Sequence, residues 1–131
     1  MSARQPKPSS PADAPAPCGH YSHAVACDGL IFVSGQLPVD PGTSQALAGR
    51  PIEVQTRQAL ENMDAALRAA GSRRDLVLKT TIFLTDVALW DRVNTAYGEF
   101  FGGHRPARSI VPTGPLHLGA DIEIEAIAVL P

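Results

Sequence analysis

A guanidinium and a row of carboxylates stand close together near the end of this chain. Arg105-Pro106-Ala107-Arg108-Ser109 heads one short apolar run, and Asp121-Ile122-Glu123-Ile124-Glu125-Ala126-Ile127-Ala128-Val129 follows twelve residues later. The forked donors of an arginine suit bidentate capture of a small carboxylate. Asp121, Glu123 and Glu125 fall on one side of an alternating strand, with Ile122, Ile124 and Ala126 on the other. If the two runs pair as neighbouring strands, Arg108 and an acid face one small pocket. A neighbouring guanidinium keeps such a carboxylate ionised, while partial burial raises its pKa. A base held ionised near pH 7 can polarise a bound water. The plainer alternatives are a surface salt bridge for Arg108 and a solvated strand start for the acids.

Other side chains offer binding rather than catalysis. Ser34-Gly35-Gln36-Leu37-Pro38 places a hydroxyl and a free amide at a strand end, with no G-x-S-x-G elbow to make Ser34 a nucleophile. Tyr21 supplies either a phenol for a ligand or a core-edge ring. Asn94 is a poor helix former in a helical stretch, which points to a specific hydrogen bond. His20, His23, His104 and His117 are scattered, and none is assigned a catalytic role. Cys18 and Cys27 are the only thiols, and cytosolic redox conditions argue against a disulfide between them. No metal site is expected.

These residues need elements to position them. Tyr21 to Ala26 and Leu30 to Ser34, joined by Asp28-Gly29, read as a β-hairpin with a tight two-residue turn. Gly35 to Pro51 reads as loop. Leu60, Met63 and Leu67, with Ala59, Ala66 and Ala70 beside them, predict a helix over Ile52 to Ala70, with Pro51 in its first turn and Gly71 past its end. Leu76 to Thr85 is β-branched and apolar, so a strand. Val87 to Phe101 returns to helical spacing and ends at Gly102-Gly103. Ala107 to Val111 and Ile122 to Leu130 are two more strands. The order is ββαβαββ, an α+β sandwich with two helices on one face of one sheet. The last strand is apolar on both faces past Glu125, so its second face is expected to meet another subunit.

Composition bounds the rest. A chain of 131 residues, 44% hydrophobic and 18% charged, fits one soluble domain. Residues Met1 to Pro17 hold five of the twelve prolines and are expected to be a disordered or extended tail, with the domain spanning 18–131. A net charge of −2 gives no bulk attraction to nucleic acid or an anionic membrane. No apolar run approaches the roughly 18 residues of a membrane span. No apolar h-region marks a signal peptide, so the cytoplasm is the expected location.

Five stretches in order resemble the RidA (YjgF) family of reactive enamine and imine deaminases. They are Gly19, Tyr21, Ser22 and Ala24; Ser34-Gly35-Gln36-Leu37-Pro38; Val93-Asn94-x-Ala96-Tyr97; Pro106-Ala107-Arg108-Ser109; and Ile122 to Val129. The similarity covers residues 18 to 131. It implies a chorismate-mutase-like fold in a homotrimer, with ligand pockets between subunits. It also implies cofactor-free hydrolysis of 2-aminoacrylate and 2-iminopropionate to a 2-keto acid and ammonia, a role in metabolite damage control. Carried onto this chain, Arg108 binds the substrate carboxylate and Glu123 orients water. Backbone groups at Ile110 and Gly35 contact substrate, and Tyr21, Ser34 and Asn94 line the pocket. The sequence departs from many relatives at Ile110, where they have Cys, at His20 (Pro) and at His23 (Gln). Two other readings of the same pocket stay open, a non-catalytic carboxylate binder that protects proteins and an endoribonuclease.

Overall fold

The computed structural model describes residues 5–131. Its strands are β1 (Lys7–Ser9), β2 (Ala24–Cys27), β3 (Leu30–Gln36), β4 (Val77–Leu84), β5 (Ala107–Pro112) and β6 (Ile122–Val129), with helices α1 (Ile52–Ala69) and α2 (Trp90–Phe101). They form one mixed sheet in the order β1-β2-β3-β6-β4-β5. The expected element order is present, with one short strand added in front. β4 and β5 run parallel across the α2 crossover, and the other pairs are antiparallel.

Local chemistry accounts for these elements. Asp28 and Gly29 both have positive φ (52° and 79°), which gives the β2–β3 turn the twist that a two-residue hairpin needs. Pro51 caps α1 from just outside, with an extended ψ of 145°, instead of lying within its first turn. Gly71, at φ 91°, closes the helix. A 3₁₀ turn at Val87–Leu89 precedes α2, where Asp86 accepts the Ala88 amide hydrogen, so the predicted single helix splits in two. Both helices bury their apolar stripe on the same side of the sheet. Leu60, Met63 and Leu67 of α1 meet Val93, Tyr97 and Phe101 of α2, together with Ile122, Ile124 and Ala126 of β6.

The proline-rich start differs from the disordered alternative. Residues 1–4 lie outside the described residues, but Lys7–Ser9 is extended and pairs with Ala24–Ala26 along the outer edge of β2. Ala14 and Pro15 are buried. Proline is compatible here because an edge strand leaves some N–H positions unpaired.

Two expectations about the last strand change. β5 and β6 are not neighbours, because β4 lies between them. Asp121 does not join the row of acids: its carboxylate accepts hydrogen bonds from Gln55 Nε2 of α1 (3.0 Å) and Thr85 Oγ1 (3.3 Å), just before the strand begins. Glu123, Glu125, Ile127 and Val129 do face away from the helices, beside Leu30 and Phe32 of β3. Phe32 is 47% exposed on that open face. No helix is long and apolar enough to cross a membrane among the described residues.

Candidate functional site

Arg108 lies on the edge strand β5 and pairs with Thr80, which pairs with Ala126. Residues paired across a sheet share a face, so Arg108 points to the helical side. There its guanidinium stands 4.7 Å from the centre of the Tyr97 ring and 5.3 Å from that of Trp90. Its Nη1 donates to Asn94 Oδ1 at 2.9 Å. That contact is the hydrogen bond expected of a mid-helix asparagine. A hydrogen bond between the Tyr97 hydroxyl and Thr80 Oγ1 (2.7 Å) fixes the ring beneath the cation. Burial pushes the Tyr97 phenol up, against the Thr80 bond and the Arg108 charge. A cavity of about 540 Å³ opens here between α2 and the start of β5, with Arg105, His104 and Arg108 on its wall. Ile110, two residues on, is half-buried on the same face and packs against the core.

Glu123 belongs to a different cavity. It lies one residue off the core-facing set of β6, on the open face of the sheet. It lines a cavity of about 360 Å³ together with Cys18, Tyr21, Ser34, Gly35, Leu37 and His117. A bulge between Val33 and Gln36 carries Ser34 and Gly35 past β6. A Cβ at Gly35 would overlap Glu123 Oε2 and stand 2.8 Å from its Cδ, so the carboxylate keeps this position only beside a glycine. Anchors on both strands hold the contact. The Asp121 amide donates to Gln55 Oε1 at 3.0 Å, and Asn62 Nδ2 donates to the Leu37 and Val39 carbonyls at 3.1 and 2.9 Å.

Burial pushes the Glu123 carboxyl above the usual glutamate range, the Glu125 charge adds to this, and His117 opposes it. Tyr21 is 45% exposed, and its hydroxyl accepts the Cys18 amide hydrogen at 3.1 Å. Ser34 corrects its expected part. Its amide is not free but donates to the His23 carbonyl (2.9 Å), and its hydroxyl donates to the Ser22 carbonyl (2.6 Å). What Ser34 still offers a ligand is acceptor lone pairs. His23 is buried beneath the pocket, hydrogen-bonded to the Pro15 carbonyl and to Gln36, so it shapes the wall from behind. His20 is exposed.

The structure therefore divides the expected site residues into two groups. Arg108, Asn94 and Ile110 lie on one side of the sheet, and Tyr21, Ser34, Gly35 and Glu123 line a pocket on its open side. Going from Arg108 to Glu123 crosses two strand spacings and three residues, about 10 Å in each direction, and passes through the sheet. Sequence reading missed His117 and Cys18 as neighbours of Glu123. His117 lies in a loop six residues ahead of it, and no periodicity signals such a placement.

Residues 11–130 match the family described as endoribonuclease L-PSP. The chain belongs to the RidA/YjgF/L-PSP family. It is 43% identical over 120 residues to the 2-iminobutanoate/2-iminopropanoate deaminase of Rattus norvegicus, covering 92% of this chain and 87% of that protein. The crystal structure of the YjgF gene product from E. coli superposes with a TM-score of 0.88 at 40% identity, over 94% of this chain and 98% of that one. TdcF of E. coli, crystallised with bound serine, gives 0.89 at 35% identity, over 95% and 99%. The RidA-family fold is thus shared along nearly the whole chain.

Proposed function

We propose that this protein hydrolyses small 2-imino and enamine acids, of the 2-aminoacrylate and 2-iminopropionate type, to a 2-keto acid and ammonia. The observation that carries the reading is the pair of half-sites. A cation held by Asn94 and two aromatic rings opens on one face, and a carboxylate with a raised pKa lines a cavity on the other. Neither half suffices alone. In a homotrimer the open face of one copy, with Phe32 and Ile127, packs against the β5 edge of the next. Arg108 of one subunit and Glu123 of another then face the same substrate. The heterologous contact closes a ring, as cyclic symmetry requires.

In that site Arg108 grips the substrate carboxylate by two parallel hydrogen bonds. Backbone groups at Ile110 and Gly35 flank the substrate, with Tyr21 and Ser34 on the pocket wall and Asn94 keeping the guanidinium in place. Glu123 takes a proton from water as its oxygen attacks C2, and the resulting carbinolamine loses ammonia. No cofactor is needed, because an imine carbon is already electrophilic. Positioned acid–base catalysis adds on the order of 10²–10⁴-fold. The names of the relatives support the substrate class, and the serine bound to TdcF is an amino acid with the same carboxylate handle.

Keto-acid release from freshly generated 2-aminoacrylate tests the proposal, with wild type and Arg108→Ala compared against the uncatalysed rate. Acceleration by wild type alone supports it. No acceleration by folded wild type removes this substrate assignment and leaves the non-catalytic carboxylate binder.

A further inference from the structure

We propose that His117 is the second acid–base group of this site, the one that delivers the proton with which ammonia leaves. The inference rests on the deaminase reading above and extends it to a residue that no relative's name assigns.

Imine hydrolysis moves several protons, and Glu123 serves as the base in the first transfer. Water adds to C2 of the protonated imine and gives its proton to Glu123, while the C=N π pair moves onto nitrogen. The product is a neutral carbinolamine, whose amine is a poor leaving group until it is protonated. Glu123, taking part as the base, is now the acid of a group whose other neighbour is the negative Glu125 on the same strand. A separate donor on the wall of the cavity completes the reaction.

His117 occupies that wall. It opens the 3₁₀ turn His117–Gly119 and lines the 360 Å³ cavity together with Glu123, Gly35 and Tyr21. The turn is built to hold it there. Leu118 adopts a left-handed backbone (φ 61°, ψ 20°), unusual for a leucine, and the Ala120 amide closes onto the His117 carbonyl at 3.3 Å. The imidazole is exposed, so it exchanges protons with solvent between turnovers. Its positive charge also favours the carboxylate form of Glu123, against burial and Glu125. The other ionisable groups facing the cavity are Cys18 and Tyr21, from the segment before β2, and the Tyr21 hydroxyl already receives the Cys18 amide.

The step balances as follows. The His117 imidazolium gives its proton to the carbinolamine nitrogen. The C–N bond breaks with its electron pair leaving on ammonia, and the C–OH oxygen forms the carbonyl. The hydroxyl proton returns to the neutral imidazole, and the proton on Glu123 departs with ammonia as ammonium. Protonated imine and water go in; keto acid and ammonium come out.

The test uses 2-iminopropionate generated in situ, with wild type, His117→Ala and His117→Gln. The expected result is a fall in kcat of about 10²-fold in both variants, with KM unchanged and partial rescue of His117→Ala by added imidazole. Retention of the native oligomer by His117→Gln separates lost chemistry from lost folding. Wild-type acceleration with kcat in both variants within about twofold of wild type, less than general acid–base catalysis supplies, overturns the role of His117 alone. No acceleration by wild type overturns the deaminase reading and this inference together.

Discussion

Arg108 and Glu123 lie on opposite faces of one sheet, with all of strand β4 between their strands. Each is nonetheless held in a defined setting. The guanidinium is fixed by Asn94, Tyr97 and Trp90, and the carboxylate lies against a glycine whose missing side chain makes room for it. Under the proposed function, these two halves, which cannot meet within a chain, are brought together by another copy.

The Arg108 half depends on its support. Removing Asn94 leaves the guanidinium stacked but able to swing. Asn94→Ala is expected to lower kcat/KM about 10-fold, the worth of one hydrogen bond to a charged group. Arg108→Ala is expected to lose more, because the substrate carboxylate then loses the guanidinium that grips it. Steady-state kinetics on 2-iminopropionate checks the order. Equal losses in both variants would contradict the supporting role of Asn94.

Gly35 tests the other half. A methyl at this position displaces the Glu123 carboxylate, which has no room to stay. Gly35→Ala is expected to keep its melting temperature within about 5 °C, since the clash falls on a partly exposed side chain and not on the core. Turnover should drop on the order of 10²-fold, the contribution of a positioned base. Calorimetry and kinetics on one preparation decide between this and general unfolding.

The pH dependence follows from the direction of the Glu123 shift. A general base must be ionised, and burial raises the pH at which this carboxyl ionises. The acid limb of kcat/KM is therefore expected above the usual glutamate range. Activity is present at higher pH and is lost as pH falls through the raised value. Glu125→Gln removes a like charge, so it should move the limb to lower pH; an unmoved limb would assign it to another group.

Much of the fold was legible in the sequence because its signals are local. Asp28-Gly29 specifies a hairpin, Pro51 and Gly71 bracket α1, and Leu60, Met63 and Leu67 mark the stripe that α1 buries. Asn94 was legible as a polar residue out of place in a helix. The strand order was not, because nothing in β5 or β6 records that β4 separates them. A short apolar strand of either kind pairs equally well with several partners. That one fact divides the residues of an expected single pocket between two cavities. Lys7–Ser9 was hidden for a related reason: its edge pairing is made by backbone, which proline-rich composition does not reveal. His117 and Cys18 reach Glu123 through loops, where spacing carries no information.

Stability offers a check independent of activity. Thr80 is fully buried, and its hydroxyl is the partner of the Tyr97 phenol under Arg108. Thr80→Val leaves that phenol unpaired, at a cost of about 1–3 kcal/mol. Adding Tyr97→Phe removes the second partner and should recover most of the loss. Chemical denaturation at fixed protein concentration, which holds any contribution of assembly constant, reads both variants. Additive losses would contradict the pairing.

The most direct test of the two-copy site is complementation between inactive subunits. Arg108→Ala and Glu123→Gln chains, carrying different affinity tags, are co-expressed and purified through both tags, so every trimer contains each kind. In a ring of three heterologous interfaces, one interface per mixed trimer joins an intact Arg108 to an intact Glu123. Each variant alone is expected to be inactive, and the mixed trimer to release keto acid from 2-iminopropionate at about a third of the wild-type rate. Mixed trimers no more active than the separate variants would contradict a site shared between subunits.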